Sequence, residues 1–198
     1  MKKNYFIRTF NLCKNLLITS VLLIAISVFL KLLLTIAPNT KYIIAIINII
    51  SYISTILLVL GCIMLSLFLL IISIETYKRR KYDTLSNLSK SVNQTFKLRK
   101  FIKQHENYEK DSLSTNQTCL KSNPILDNFN KNIKYCVVDI NITEVIVILK
   151  IPSKQQAQKI LIDMEQQIHE EVSHLNPEYY FSNMQRNKRY MYIKGNKR

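Results

Sequence analysis

The fold class predicted by the sequence is an integral membrane two-helix hairpin with both ends in the cytoplasm. A basic connector helix and a small cytoplasmic α+β module of β-β-α-β-β order follow it. Three observations lead there. Residues 42–74 form 33 consecutive positions without Asp, Glu, Lys or Arg, and about 20 apolar residues suffice to cross a bilayer. The run Lys78, Arg79, Arg80 and Lys81 follows at once. Further on, the uninterrupted apolar group Val145, Ile146, Val147, Ile148 and Leu149 precedes a long stripe of apolar residues at helical spacing, which is the pattern of a buried strand beside an amphipathic helix.

The order of the elements follows from charge. Residues 1–14 hold Lys2, Lys3, Arg8 and Lys14 and no acid, so they read as a basic cytoplasmic N-terminus. Residues 15–37 read as the first span. Lys31 interrupts it about two turns from the end, where the stem of a lysine reaches the headgroups. The apolar region is longer than the 7–15 residues usual in a signal peptide, so an uncleaved anchor is expected. Residues 38–41 are a short outer turn and 42–75 the second span. Because the basic residues lie at both ends and the turn carries Lys41 alone, Lys78, Arg79, Arg80 and Lys81 set the topology, with both termini inside. Lys31 and Gly61 are the candidate pore or interface positions. Glycine offers a flat spot for a second helix, and a two-helix subunit forms a pore only as an oligomer.

Beyond the spans the composition changes. The chain of 198 residues carries a net charge of +15, and 22 Lys and Arg against 12 Asp and Glu lie in residues 76–198. In 76–110, Leu85, Leu88, Val92 and Phe96 recur at intervals of three and four among lysines, the spacing of one helix face. This segment reads as a basic amphipathic connector, suited to extending the second span into the cytoplasm, to pairing with a copy of itself, or to lying on an anionic leaflet. Residues 111–132, rich in Ser, Thr, Asn and Asp, read as a polar linker.

Residues 133–198 read as the α+β domain. Lys134 to Ile140 and Ile142 to Ile151 are two strands with a hairpin point at Asp139, Ile140 and Asn141. Ser153 with Gln156 three residues on forms a capping box that opens a helix running to Leu175. Tyr179, Tyr180 and Phe181 pair with 189–194 as a second hairpin. In the last strand Tyr190, Tyr192 and Lys194 share one face, and Met191 and Ile193 the other. Arg186, Lys188, Arg189, Tyr190, Tyr192 and Lys194 are therefore the candidate partner or anion-binding surface.

The sequence offers little to catalysis. With two glycines in the whole chain, no phosphate-cradling loop of the GxxxxGK[ST] or GxGxxG kind exists. The four cysteines, Cys13, Cys62, Cys119 and Cys136, show no CxxC spacing. His169 and His174 lie on the long helix with Glu165 and Glu170 each four residues before one of them, without the HExxH order of a zinc site. No catalytic residue, metal or cofactor is expected. The abundance of Ile, Asn and Lys points to an A+T-rich genome, and hence to a bacterial plasma membrane. The expected role is a non-enzymatic, multi-pass membrane protein whose cytoplasmic module binds another protein as an accessory or regulatory part of a membrane complex. Its expected partners are membrane lipid and either a protein or further copies of itself. Two alternatives belong to other classes: a nucleic-acid tether of the plasmid-transfer or replication type, and a membrane-perturbing effector or oligomeric channel gated by its cytoplasmic domain.

Overall fold

A computed structural model describes residues 5–36, 41–104 and 123–198. They fall into two compact units, Met1–Lys81 and Tyr82–Arg198.

The first unit is a pair of long helices, α1 (Tyr5–Ile36) and α2 (Lys41–Tyr82). Both are long and apolar enough to cross a membrane. The buried serines inside the pair bond to backbone. The Ser27 hydroxyl, buried, donates to the Ser54 carbonyl at 2.7 Å, and the Ser54 hydroxyl donates to Ser51 of its own helix at 2.8 Å. Both helices exceed the spans read from sequence. α1 begins at Tyr5, inside the residues read as the N-terminal segment. α2 continues through the basic run, so the front of the expected connector is the last turns of α2. The expected outer turn lies, except for Lys41, outside the described residues.

The second unit is a mixed α/β fold. Its elements are α3 (Leu85–Ile102), α4 (Pro124–Ile133), β1 (Val137–Ile140), β2 (Glu144–Lys150), α5 (Gln155–Asp163), α6 (Glu165–Leu175), β3 (Tyr179–Phe181), β4 (Gln185–Asn187) and β5 (Tyr190–Lys197). The sheet is antiparallel in the order β1-β2-β5-β3, with β4 pairing a different stretch of β5. β2 is buried from Val145 to Leu149, as a continuous β-branched run requires. The core joins Val138, Val145, Val147, Leu149 and Ile193 of the sheet to Phe129, Leu161, Ile168 and Val172 of the helices and to Leu98 and Ile102 of α3.

This order differs from the β-β-α-β-β reading in four places. The residues read as a linker include α4: Pro124 occupies its first turn and the Asn123 side chain accepts from the Ile125 N–H at 3.0 Å, a helix start that the polar composition hides. Residues 111–122 lie outside the described residues. The single long helix is two, broken at Met164, and it starts at Gln155 with no side-chain cap; Ser153 instead accepts from the Asn128 amide at 3.2 Å. The turn between β1 and β2 lies after Asn141, whose N–H donates to Glu144 at 2.8 Å, so Asp139 is a buried strand residue opposite Ile146 and not a turn carboxylate beside Glu144. Finally, β5 takes its hairpin partner from β4, across a turn in which Lys188 has φ 52, and β3 pairs with the far end of β5.

The fifth difference positions everything else. The apolar row Leu85, Leu88, Val92 and Phe96 is not the inner face of α3: Leu85 is 50% and Phe96 48% exposed. The inner face is Ser91, Thr95, Leu98 and Ile102, all fully buried. β1 is an edge strand, and its outward N–H and C=O groups need partners once they leave water. The Ile140 N–H donates to the Ser91 hydroxyl at 2.9 Å and the Val138 N–H to Thr95 at 3.0 Å. Each hydroxyl passes its own proton to the carbonyl one turn back, Asn87 and Ser91, both at 2.7 Å. Arg99 Nε then donates to the Cys136 carbonyl at 2.7 Å. Four residues of helix advance about 6 Å and two residues of strand about 6.8 Å, so a Ser-Thr-Arg series spaced by four matches alternate residues along a strand edge. α3 thus closes the sheet with side chains where another strand would use backbone.

Candidate functional site

A cleft of about 450 Å³ opens beside α3, bounded by the end of α6, the start of β3, the β1–β2 turn and the end of β5. Its volume lies in the range of small-molecule sites. One face of α3 supplies Lys90, Asn93, Gln94 and Lys97, and β5 supplies Lys197. Lys90 and Lys97 are two helical turns apart and so share a side.

The floor is fixed. The Gln94 amide donates to Asn176 Oδ1 at 2.8 Å and to the Leu175 carbonyl at 3.3 Å, and the Asn176 amide donates back to Gln94 Oε1 at 2.9 Å and to the Val172 carbonyl at 3.1 Å. This reciprocal pair ties α3 to the last turn of α6 and satisfies carbonyls that a helix end leaves free. The Tyr179 phenol donates to the Asn141 carbonyl at 2.8 Å; burial, reinforced by Glu178 and Asp83, pushes its pKa up. At the mouth, the Asn87 amide is engaged by Asp83 at 2.6 Å. Among the described residues, Lys90, Lys97 and Lys197 form no ion pair. With Glu178 the one acid in the lining, the cleft is a basic pocket with a rigid amide floor.

The sequence-derived surface lies elsewhere. Arg186, Lys188 and Arg189 are exposed around the β4–β5 turn. Tyr190 and Tyr192 are half-buried on the strand face opposite the buried Met191 and Ile193, and the Tyr192 hydroxyl bonds to Gln185. Lys194 is held by Glu144 on the neighbouring strand at 2.8 Å. In the helical pair, Lys78 lies 4.1 Å above the Tyr5 ring and Arg79 lies 4.9 Å above Phe6. Arg79 is buried and pairs with Glu75 one turn earlier at 2.7 Å; Arg80 and Lys81 are exposed. Lys31 is exposed on α1. Gly61 is buried against α1: a Cβ there would stand 2.7 Å from Ile24 Cγ1.

In the sequence Lys90 and Lys97 look like the solvated side of a connector, and their seven-residue spacing is the one signal that they share a side. His169 packs edge-on against Phe181 at 6.4 Å and His174 is exposed. Among the described residues, no group of three or more His, Cys, Asp or Glu is placed to hold a metal ion. Cys136 is buried, and burial pushes its thiol up to about 12, which leaves it neutral and unreactive. No protein-family model, curated protein or solved structure matches this chain.

Proposed function

We propose that this chain is a non-enzymatic, multi-pass protein of a bacterial plasma membrane, with both ends in the cytoplasm. In this reading its α+β unit serves as a docking module held at the membrane surface, an accessory part of a membrane complex. The observation that carries the reading is the length of the link. Only Asp83 and Thr84 separate α2 from α3, and α3 is bonded into the sheet edge through Ser91, Thr95 and Arg99. A module on so short a leash stays near the headgroups and suits a partner that is itself at the membrane. The basic last turn of α2, with Arg79, Arg80 and Lys81, supports the cytoplasmic placement.

The test is purification of the full chain in mild detergent, with and without nuclease, followed by sizing and identification of co-eluting material. A membrane protein recovered at constant ratio, and lost when S91V/T95V releases α3, is the expected result. A monodisperse chain that brings nothing, or the same partner at the same ratio from S91V/T95V, contradicts the reading. A nucleic-acid tether is the second reading, favoured by the exposed Arg186, Lys188 and Arg189 at one turn, which form no ion pair among the described residues. Nuclease-sensitive material whose retention falls steeply with salt would put it first.

A further inference from the structure

We propose that the cleft beside α3 is a binding site for a phosphate-bearing anion, with Lys90, Lys97 and Lys197 supplying its charge and Asn93 a neutral donor. Four observations carry this. The three ammonium groups come from two elements that the fold brings to one concavity. None of them is spent on an ion pair among the described residues, whereas Lys194, three residues before Lys197 on β5, has its acid in Glu144. The amides that could collapse into the cleft are already engaged: Gln94 and Asn176 with each other, and Asn87 with Asp83. The open donors are therefore charged or neutral N–H groups, the complement of phosphate oxygens, which bind most strongly to ionised donors. Glu178 at the rim opposes a fully ionised polyanion and favours a ligand of low charge.

Chain length points to where such a ligand comes from. Thr84 lines the cleft and follows Tyr82, the last residue of α2, by two positions, a span of at most about 7 Å. With so short a link to a chain read as membrane-anchored, a phosphodiester headgroup is one source of such a ligand; a small soluble organic phosphate has the same chemistry. This goes beyond a docking role, and its outcome does not depend on whether a protein partner co-purifies.

The test uses the full chain in mild detergent, with native mass spectrometry to count bound phosphatidylglycerol against phosphatidylcholine, and titration with glycerol 3-phosphate and inorganic phosphate. Variant K90Q/K97Q/K197Q empties the cleft of charge. K100Q/K103Q/K159Q removes the same charge from exposed positions outside it. Single variants K90Q and K97Q guard against a triple variant that does not fold. Selective phosphatidylglycerol retention, weakened roughly tenfold or more in the cleft variant and unchanged in the control, is expected for the loss of several charge-assisted contacts and assigns the site to the headgroup. Lysine-dependent binding of glycerol 3-phosphate without lipid selectivity supports the phosphate site and assigns it to a soluble ligand. Equal losses in the two triple variants, or no binding of any probe, overturn the proposal.

Discussion

One buried serine in each unit ties its helix to a neighbouring element, and the two do so in opposite hydrogen-bonding roles. Ser27 in the helical pair and Ser91 in the α+β unit are both buried, and each joins its helix to the backbone of a neighbouring element, at 2.7 Å and 2.9 Å. Ser27 donates to a carbonyl of α2 that its own helix already satisfies, so its bond is supplementary. Ser91 accepts from the Ile140 N–H, a group at a sheet edge with no backbone partner on that side. Removing the first loses a contact; removing the second strands a buried donor. The same contrast holds for apolar surface. α1 and α2 carry exposed rows of Leu, Ile and Val, and the α+β unit keeps such residues in its core. A polar side chain in lipid adds specificity between elements that are complete by themselves, whereas in the sheet it completes the element.

The largest expected effect is therefore S91V/T95V in the full chain, which leaves the Ile140 and Val138 N–H groups buried and unpaired. A loss of about 1–3 kcal/mol for each should appear as a lower melting temperature for the α+β unit, with the α1–α2 helical signal retained. Raising the pH attacks the core beside the same strand edge. The Cys136 thiol titrates far above its unfolded value, so above about pH 9 the unfolded state releases a proton that the native state keeps. Stability is intact below that point and falls toward pH 12, by on the order of 1 kcal/mol per unit. Denaturant midpoints measured from pH 8 to 11 should show this slope for the wild type and a flatter one for C136A.

Next comes G195A. A Cβ at this position would lie 2.5–3.0 Å from three carbons of the Phe181 ring, and a cost of about 1–3 kcal/mol is expected for overpacking a core contact, readable in the same denaturant series. In the helical pair, S27A should cost about 0.6 kcal/mol, the average for hydrogen bonds between membrane helices, measured by resistance of the pair to unfolding in a harsh detergent. An S27A loss as large as that of S91V/T95V would erase the contrast between the units. K194Q should cost similarly little, about 0.2–1 kcal/mol and less at high salt, because its bond to Glu144 is half-exposed.

Sequence periodicity reads elements whose burial is decided by apolarity, and it failed where polar groups decide. The charge-free stretch beginning at Tyr42 and the run through Val145 and Leu149 announced α2 and β2 directly, because a bilayer or a two-sided core selects apolar residues at every position. α3 misled because its apolar row, Leu85 to Phe96, is a flank, and its buried face is chosen by what the edge of β1 lacks. Ser91, Thr95 and Arg99 stand four apart in the sequence, but that spacing gains meaning only once Cys136, Val138 and Ile140 are known to form an edge. The cleft was illegible for a related reason. Lys97 and Lys197 are separated by a hundred residues, and only antiparallel pairing of β5 beside β3 brings them to one concavity. α4 was legible in principle from Asn123 and Pro124, a cap and first-turn pair that the polar residues around it obscured.

The measurement that bears most directly on α3 as part of the sheet is amide hydrogen exchange of the full chain in detergent, resolved at Val138 and Ile140. Both amides lie on the outer edge of β1, which exchanges within seconds if water reaches it. With α3 docked as described, they should exchange as slowly as the central strand β2 and lose that protection in S91V/T95V. Fast exchange at both positions in the wild type would mean that α3 leaves the sheet edge open, and the account of α3 as the part that completes the sheet would fall with it.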